Sequence, residues 1–202
     1  MTCNNLKKLS QKKEIILASA SPRRLKLLGE TGVAFRQIIS DVEESNNPAG
    51  SPFEHALTLA KMKAMAVSAV SGDDKLVIGA DTIVVLDNKL IGKPENKNEA
   101  REILLRLSGK KHVVCTALAM VCSAELLASG YELTDVYFNL VSEKAIVDYV
   151  SSGEPMDKAG AYGIQGKGGF LVDRIEGELD NVIGLPRSLL DKLAGEVCLK
   201  ME

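Results

Sequence analysis

Long apolar runs are missing from this chain of 202 residues: nothing in it approaches the ~20 residues that a membrane-spanning helix requires. An excess of one charge is missing too. With 25 Lys and Arg against 27 Asp and Glu, the net charge is −2, so no global basic field attracts DNA or RNA. Any polyanion has to be held by a local cluster of cations. Histidine is scarce, at two residues, and the four cysteines (Cys3, Cys115, Cys122, Cys198) contain no CxxC pair. Those counts argue against a zinc site and make reduced thiols in the cytoplasm the expectation. Two common phosphate-binding loops are absent as well. The glycines of residues 160–169 lack the ordered G-x-G-x-x-G that follows a strand, and SGKKH at 108–112 has Leu104 where the first glycine of a P-loop belongs. No repeat, low-complexity tract or long linker divides the chain, so one domain over 15–202 is expected. The opening MTCNNLKKLSQKKE is polar and basic with no apolar h-region; residues 1–14 read as a flexible tail rather than a secretory signal.

What is present is an alternation of strand and helix signals. Residues 15–20 predict a strand, Ser21 an N-cap, and Pro22 the first turn of a helix whose apolar face is Leu25, Leu27 and Leu28. Residues 33–39 predict a second strand, and a polar loop follows from Asp41 through Asn46, Pro48 and Gly50. Helices are expected near 52–70, 96–107, 142–153 and 186–197, and strands at 75–86, 112–122, 130–141 and 170–175. Alternation in the first half and clustered strands later predict an α/β fold: a mixed twisted sheet flanked by helices, in two lobes around a central cleft.

The chemistry-bearing residues are scattered along this pattern. Asp81 interrupts a β-branched strand just after Gly79 and Ala80. An ionised carboxylate there is costly unless it is paired or binds a cation, although it could simply accept backbone hydrogen bonds. Pro94 keeps Lys93 out of helical conformation and so presents it on an extended loop. Arg23 and Arg24 stand together where a strand gives way to a helix. The stretch EPMDKAGAYGIQGKGG at 154–169 mixes Asp157, Lys158, Tyr162 and Gln165 with too many glycines for regular structure. Singly, each has a plain structural reading: a strand-end carboxylate, a solvated lysine, surface arginines, a turn. Together they permit a metal-assisted enzyme acting on a phosphoanhydride.

Six stretches in order, SASPRR at 19–24, GADTIV at 79–84, GKP at 92–94, LSGKKH at 107–112, GEPMDKAGAYGIQG at 153–166 and NVIGLP at 181–186, resemble the Maf family of nucleotide pyrophosphatases. The resemblance runs from about residue 15 to residue 195. It implies a fold like that of the Maf and inosine triphosphatase proteins, with Asp81 as proton acceptor, Lys93 and Lys63 as cleft lysines, and Glu44 as an acidic residue near the metal. It implies further that Ser21, Arg23 and Arg24 contact phosphates, that Thr82 and Lys158 line the substrate, and that Gln165 discriminates the base. Mg²⁺ or Mn²⁺ would sit on Glu44 and Asp81. The DKAGAYGIQG stretch resembles the branch acting on dTTP and UTP, including modified pyrimidine nucleotides. The alternatives are a pyrophosphatase for 7-methyl-GTP, or a non-catalytic nucleotide-binding regulator of cell division. The resemblance also implies a homodimer acting on a small nucleoside triphosphate, with neither nucleic acid nor membrane as partner.

Overall fold

Three long strands carry the fold, and the alternation of their side chains decides what packs where. A computed structural model describes residues 3–42 and 50–201. Its strands are β1 (Glu14–Ala18), β2 (Phe35–Gln37), β3 (Lys75–Leu86), β4 (Lys89–Ile91), β5 (Lys111–Cys122), β6 (Glu125–Phe138) and β7 (Val172–Glu176). They form one seven-stranded sheet in the order β2-β1-β3-β5-β6-β7, with β4 paired to β3. β1 runs parallel to β2 and β3, and the other pairings are antiparallel, so the sheet is mixed as expected. The helices are α1 (Asn4–Lys12), α2 (Pro22–Gly29), α3 (Pro52–Ser71), α4 (Lys97–Leu107), α5 (Glu143–Ser151), α6 (Leu179–Ile183) and α7 (Arg187–Lys200). Ser21, Asn96 and Ser142 cap α2, α4 and α5 by accepting the backbone N–H three residues on. No helix among the described residues is long and apolar enough to cross a membrane.

Successive strand residues point to opposite faces. On one face of β3, Leu76, Ile78 and Ala80 join a core built with α1, α2 and α7. Farther along the same face, Val84 and Leu86 join a second core built with α4 and α5. The opposite face, with Val77, Ile83 and Val85, packs beneath Ala56, Ala60, Ala64 and Val67 of α3. The two cores sharing one face are the two lobes. Thr82 lies on that face between them and belongs to neither.

The seam between the lobes is polar where the cores are not. Thr82 Oγ1 is 2.9 Å from Thr116 Oγ1 on the neighbouring strand. Asn181, fully buried in α6, accepts from the Thr116 N–H at 3.0 Å and donates to Val114 O at 3.0 Å and Thr134 Oγ1 at 2.9 Å. Every polar group of this side chain is thereby satisfied, which is what lets an amide sit inside the molecule.

The beginning of the chain departs from the expected loose tail. Residues 4–12 form α1, which lies on α7 with Cys3, Leu6 and Leu9 buried in the first core. Asp191 Oδ1 accepts from the N–H groups of Asn5 (2.8 Å) and Leu6 (3.1 Å), satisfying donors that a helix start leaves orphaned. Three apolar contacts and a carboxylate cap thus outweigh a lysine-rich composition.

Candidate active site

The sheet has a gap, and the site is built around it. β1 pairs with β3 as far as Ala18 opposite Gly79, and β4 takes up the same edge of β3 only at Val84. Residues 80–83 therefore have no strand beside them on that edge among the described residues. Where β1 leaves, the chain turns through Ser19, Ala20 and Ser21 into α2, whose N-terminus faces the opening. Backbone N–H groups and the positive end of a helix favour anions at such a place.

The two adjacent arginines of this turn part company. Arg24 is buried, and its Nε donates to Gly184 O at 2.9 Å. Its Nη1 donates to Ser19 Oγ at 3.1 Å and Ala80 O at 3.0 Å, and its Nη2 to Thr82 Oγ1 at 2.9 Å. One guanidinium thus ties the turn, β3 and the end of α6 together. Arg23 instead reaches across the opening, where its Nη1 meets Asp157 Oδ2 at 3.3 Å on a solvent-exposed contact.

Asp81 occupies the gap itself. Its Oδ1 accepts from Lys63 Nζ at 2.6 Å, and both side chains are 7% exposed. Gly79 makes this pairing possible: a Cβ there would collide with Ala60 O and with Ala64, so α3 rides directly on the β3 backbone. Lys63, one residue before Ala64, then falls over Asp81, two residues beyond Gly79 on the same face of the strand. A carboxylate and an ammonium so deeply buried are tolerable because each is the other's partner. Lys93, just past β4, closes the same end of the opening.

The far wall is the segment 153–169, folded as three short 3-10 turns at Glu154–Asp157, Ala159–Ala161 and Lys167–Leu171. Lys158 Nζ donates to Glu154 O at 2.6 Å and Asp157 Oδ1 at 2.7 Å. Burial pushes the Asp157 carboxyl up, but the hydrogen bond and charge of Lys158 and the Arg23 guanidinium outweigh it and hold the group below its usual range. Behind the wall, His112 Nε2 lies 2.9 Å from the Tyr162 hydroxyl, inside an aromatic cluster with Phe138. Burial pushes His112 down to about 4 against the opposing charge of Asp135, and pushes the Tyr162 phenol up. Both are neutral near pH 7.

A cleft of about 620 Å³ runs between the two walls. Ser21, Arg23 and Arg24 line it from the β1–α2 turn, Lys63, Asp81, Thr82 and Lys93 from its floor, and Lys158 and Gln165 from the far wall. Glu44 lies outside the described residues. Arg24 enters as a clamp on protein groups, whereas half-buried Arg23 reaches only the exposed Asp157 carboxylate among the described side chains. Among the described residues no three His, Cys, Asp or Glu side chains gather as a cation cage. A single carboxylate at the floor suits Mg²⁺, which takes one or two carboxylates plus substrate phosphates, better than a cation needing an all-protein shell.

Several organising residues carry no chemistry visible in the chain order. Asn181 and Thr116 build the seam, and Glu154 and Tyr149 build the far wall. Asn181 and Glu154 fall inside the NVIGLP and GEPMDKAG stretches, which was the one signal pointing to them.

With this geometry in hand, comparison with known proteins is informative. Residues 14–197 match the family model described as Maf-like protein. A protein from Bacillus anthracis named dTTP/UTP pyrophosphatase is 48% identical over 178 residues, covering 88% of this chain and 92% of that one. One of the same name from Bacillus cereus is 47% identical over 174 residues, covering 86% and 90%. Among solved structures, a HAM1 protein from Coxiella burnetii aligns over 94% of this chain and 100% of its own at 16% identity and a TM-score of 0.48, too slight a likeness to carry an argument.

Proposed function

The chain belongs to the Maf family, and on that footing we propose that it is a pyrophosphatase for dTTP and UTP, converting the triphosphate to the monophosphate and pyrophosphate. One observation carries the reading. Side chains from the β1–α2 turn, α3, β3, the loop after β4 and the glycine-rich segment converge on a single cleft that brings together several cations, a buried carboxylate and a polar amide.

The substrate brings about four negative charges, whose mutual repulsion any site has to offset. Arg23 at the mouth and Lys93 at the floor supply positive charge, and the α2 N-terminus supplies N–H donors. Arg24 holds the turn in place while the 2.6 Å contact with Lys63 holds the Asp81 carboxylate in position. Asp81 then takes a proton from water as the water oxygen bonds to one phosphorus of the α–β bridge. The bond from that phosphorus to the bridging oxygen breaks, and its electron pair leaves on the departing phosphate group, facing Arg23 and Lys93. Mg²⁺ or Mn²⁺ bound through Asp81, and through Glu44 where the family resemblance places it, would offset phosphate charge and fix phosphate oxygens. At the other end Gln165 offers an amide donor and acceptor to the base edge. The homodimer stands as a further part of the proposal, tested by the mass of the protein in solution.

A panel of nucleotides tests the reading. With Mg²⁺ or Mn²⁺ present, pyrophosphate release should be fastest from dTTP and UTP and fall away for purine triphosphates. Equal rates across the panel, or preference for a methylated purine, would overturn it.

A further inference from the structure

One partly buried cluster takes no part in the chemistry above. The Glu154 carboxylate accepts from the N–H of Lys167 at 2.9 Å on Oε2, and from the N–H of Gly168 at 3.2 Å and the Tyr149 hydroxyl at 3.0 Å on Oε1. The Tyr149 hydroxyl in turn accepts from the N–H of Gly163 at 3.2 Å. One carboxylate and one phenol therefore hold the backbone on both sides of Gln165, at positions 163, 167 and 168. Outside the 3-10 turn that begins at Lys167, the backbone of that arc bonds to itself from Gly166 N–H to Gly163 O (3.3 Å) and from Gly169 N–H to Gly166 O (3.2 Å). The fit is close: a Cβ at Gly166 would run into the Glu154 carboxylate. Burial pushes this carboxyl up, but the two N–H groups and the phenol outweigh it, so the group stays ionised below its usual range.

A glycine-rich arc left to itself samples many conformations. A side-chain amide discriminates among bases only if it is held within roughly half an ångström of its place. We propose that Glu154, backed by Tyr149 of α5, is a positioning residue for base selectivity: it holds the 163–168 arc so that Gln165 meets the pyrimidine at a fixed height. It acts through Gln165, while the phosphate anchors sit on the opposite wall and the floor. The inference rests on the reading of the cleft as a nucleoside triphosphate site with the base at this arc.

The test uses the full chain, Glu154→Gln and Tyr149→Phe, with three readouts: kcat/KM for UTP against CTP, KM against kcat for UTP, and the inhibition constant of inorganic triphosphate, which has no base. Glu154→Gln sets an amide donor against an N–H that needs an acceptor. It should raise the KM for UTP about tenfold and lower the UTP-to-CTP preference by a similar factor, as expected for loss of charge-assisted bonds. Tyr149→Phe should shift both in the same direction by about threefold. Inorganic triphosphate should inhibit all three proteins equally within about twofold. Inhibition that weakens in step with KM, or a base preference unchanged in both variants, overturns the inference. Should Glu154→Gln fail to fold, Tyr149→Phe decides alone. If the parent releases no pyrophosphate from UTP, the functional reading fails by itself, and calorimetric binding of UTP against inorganic triphosphate still tests the role of Glu154. Loss of the UTP advantage in the variants supports that role, and an unchanged or absent advantage contradicts it.

Discussion

The two walls of the cleft are built by opposite means. The β1–α2 wall is the end of an internal strand, and it is locked by a buried arginine that donates to Gly184 O, Ser19 Oγ, Ala80 O and Thr82 Oγ1. The 153–169 wall has no strand, turns through three short 3-10 segments, and is held by one partly exposed carboxylate and a phenol. In the function proposed above, the first wall would face phosphates, which are alike in every nucleotide, and the second the base, which differs. An ion pair links the two walls, the Arg23–Asp157 contact.

The largest effect is expected at the floor, which serves both walls. Asp81→Asn should leave UTP binding measurable by calorimetry while kcat falls by a factor on the order of 10²–10⁴, the contribution of a general base. A variant that turns over like the parent would remove Asp81 from the chemistry. Next comes acid, which should strike the second wall. His112 is neutral in the fold, with its pKa near 4, against about 6.5 when unfolded. Its contribution is fully present above pH 6.5, declines as pH falls, and is lost by about pH 4, because the unfolded chain binds the proton first. The difference amounts to about 3 kcal/mol, read as a falling urea midpoint in the parent and a flatter profile in His112→Gln.

Smaller effects separate the paired arginines. Arg24→Lys cannot reproduce the fork and should lower stability by about 1–3 kcal/mol, the cost of leaving buried acceptors unmatched. Arg23→Lys should leave the urea midpoint unchanged and weaken only triphosphate binding. Equal losses of stability in the two variants would erase the distinction between clamp and contact. The smallest effect concerns the point where the walls touch. Asp157 competes with phosphate for Arg23, so Asp157→Asn should lower KM less than about fivefold, since exposed ion pairs contribute about 0–1 kcal/mol. High salt should abolish that difference.

The first wall was the more legible in the chain. Ser21 and Pro22 announce a helix start by local chemistry, and the β-branched run from Lys75 to Leu86 announces a strand that the structure places within the same bounds. The hairpin of β5 and β6 was harder. The turn between β5 and β6 uses Ser123 and Ala124 with φ of 49° and 59°, without the Asn or Gly that such turns favour, so the first part of β6 was not expected as strand. β4 and α6, of three and five residues, are too short to show a period. α1 was hidden because its apolar stripe of Cys3, Leu6 and Leu9 gains meaning only once α7 is there to cover it.

The site divides in the same way. Asp81, Lys93 and the SPRR turn stand out as charges in places that disfavour charge or helix. Glu154, Tyr149 and Asn181 do their work through partners distant in space or on backbone groups, and no spacing rule reports such contacts. The different fates of Arg23 and Arg24 were invisible for a similar reason. Adjacent residues at a helix start point about 100° apart, and only the packed seam shows which direction leads inward.

In the proposed reaction one cleft, with Asp81 at its floor, cleaves the bond between the α and β phosphates. Counting products from UTP tests it most directly. The expected result is one pyrophosphate for each UMP, no orthophosphate, and the near-disappearance of both UMP and pyrophosphate in Asp81→Asn. Release of orthophosphate with UDP, or pyrophosphate formed equally well without the Asp81 carboxylate, would contradict it.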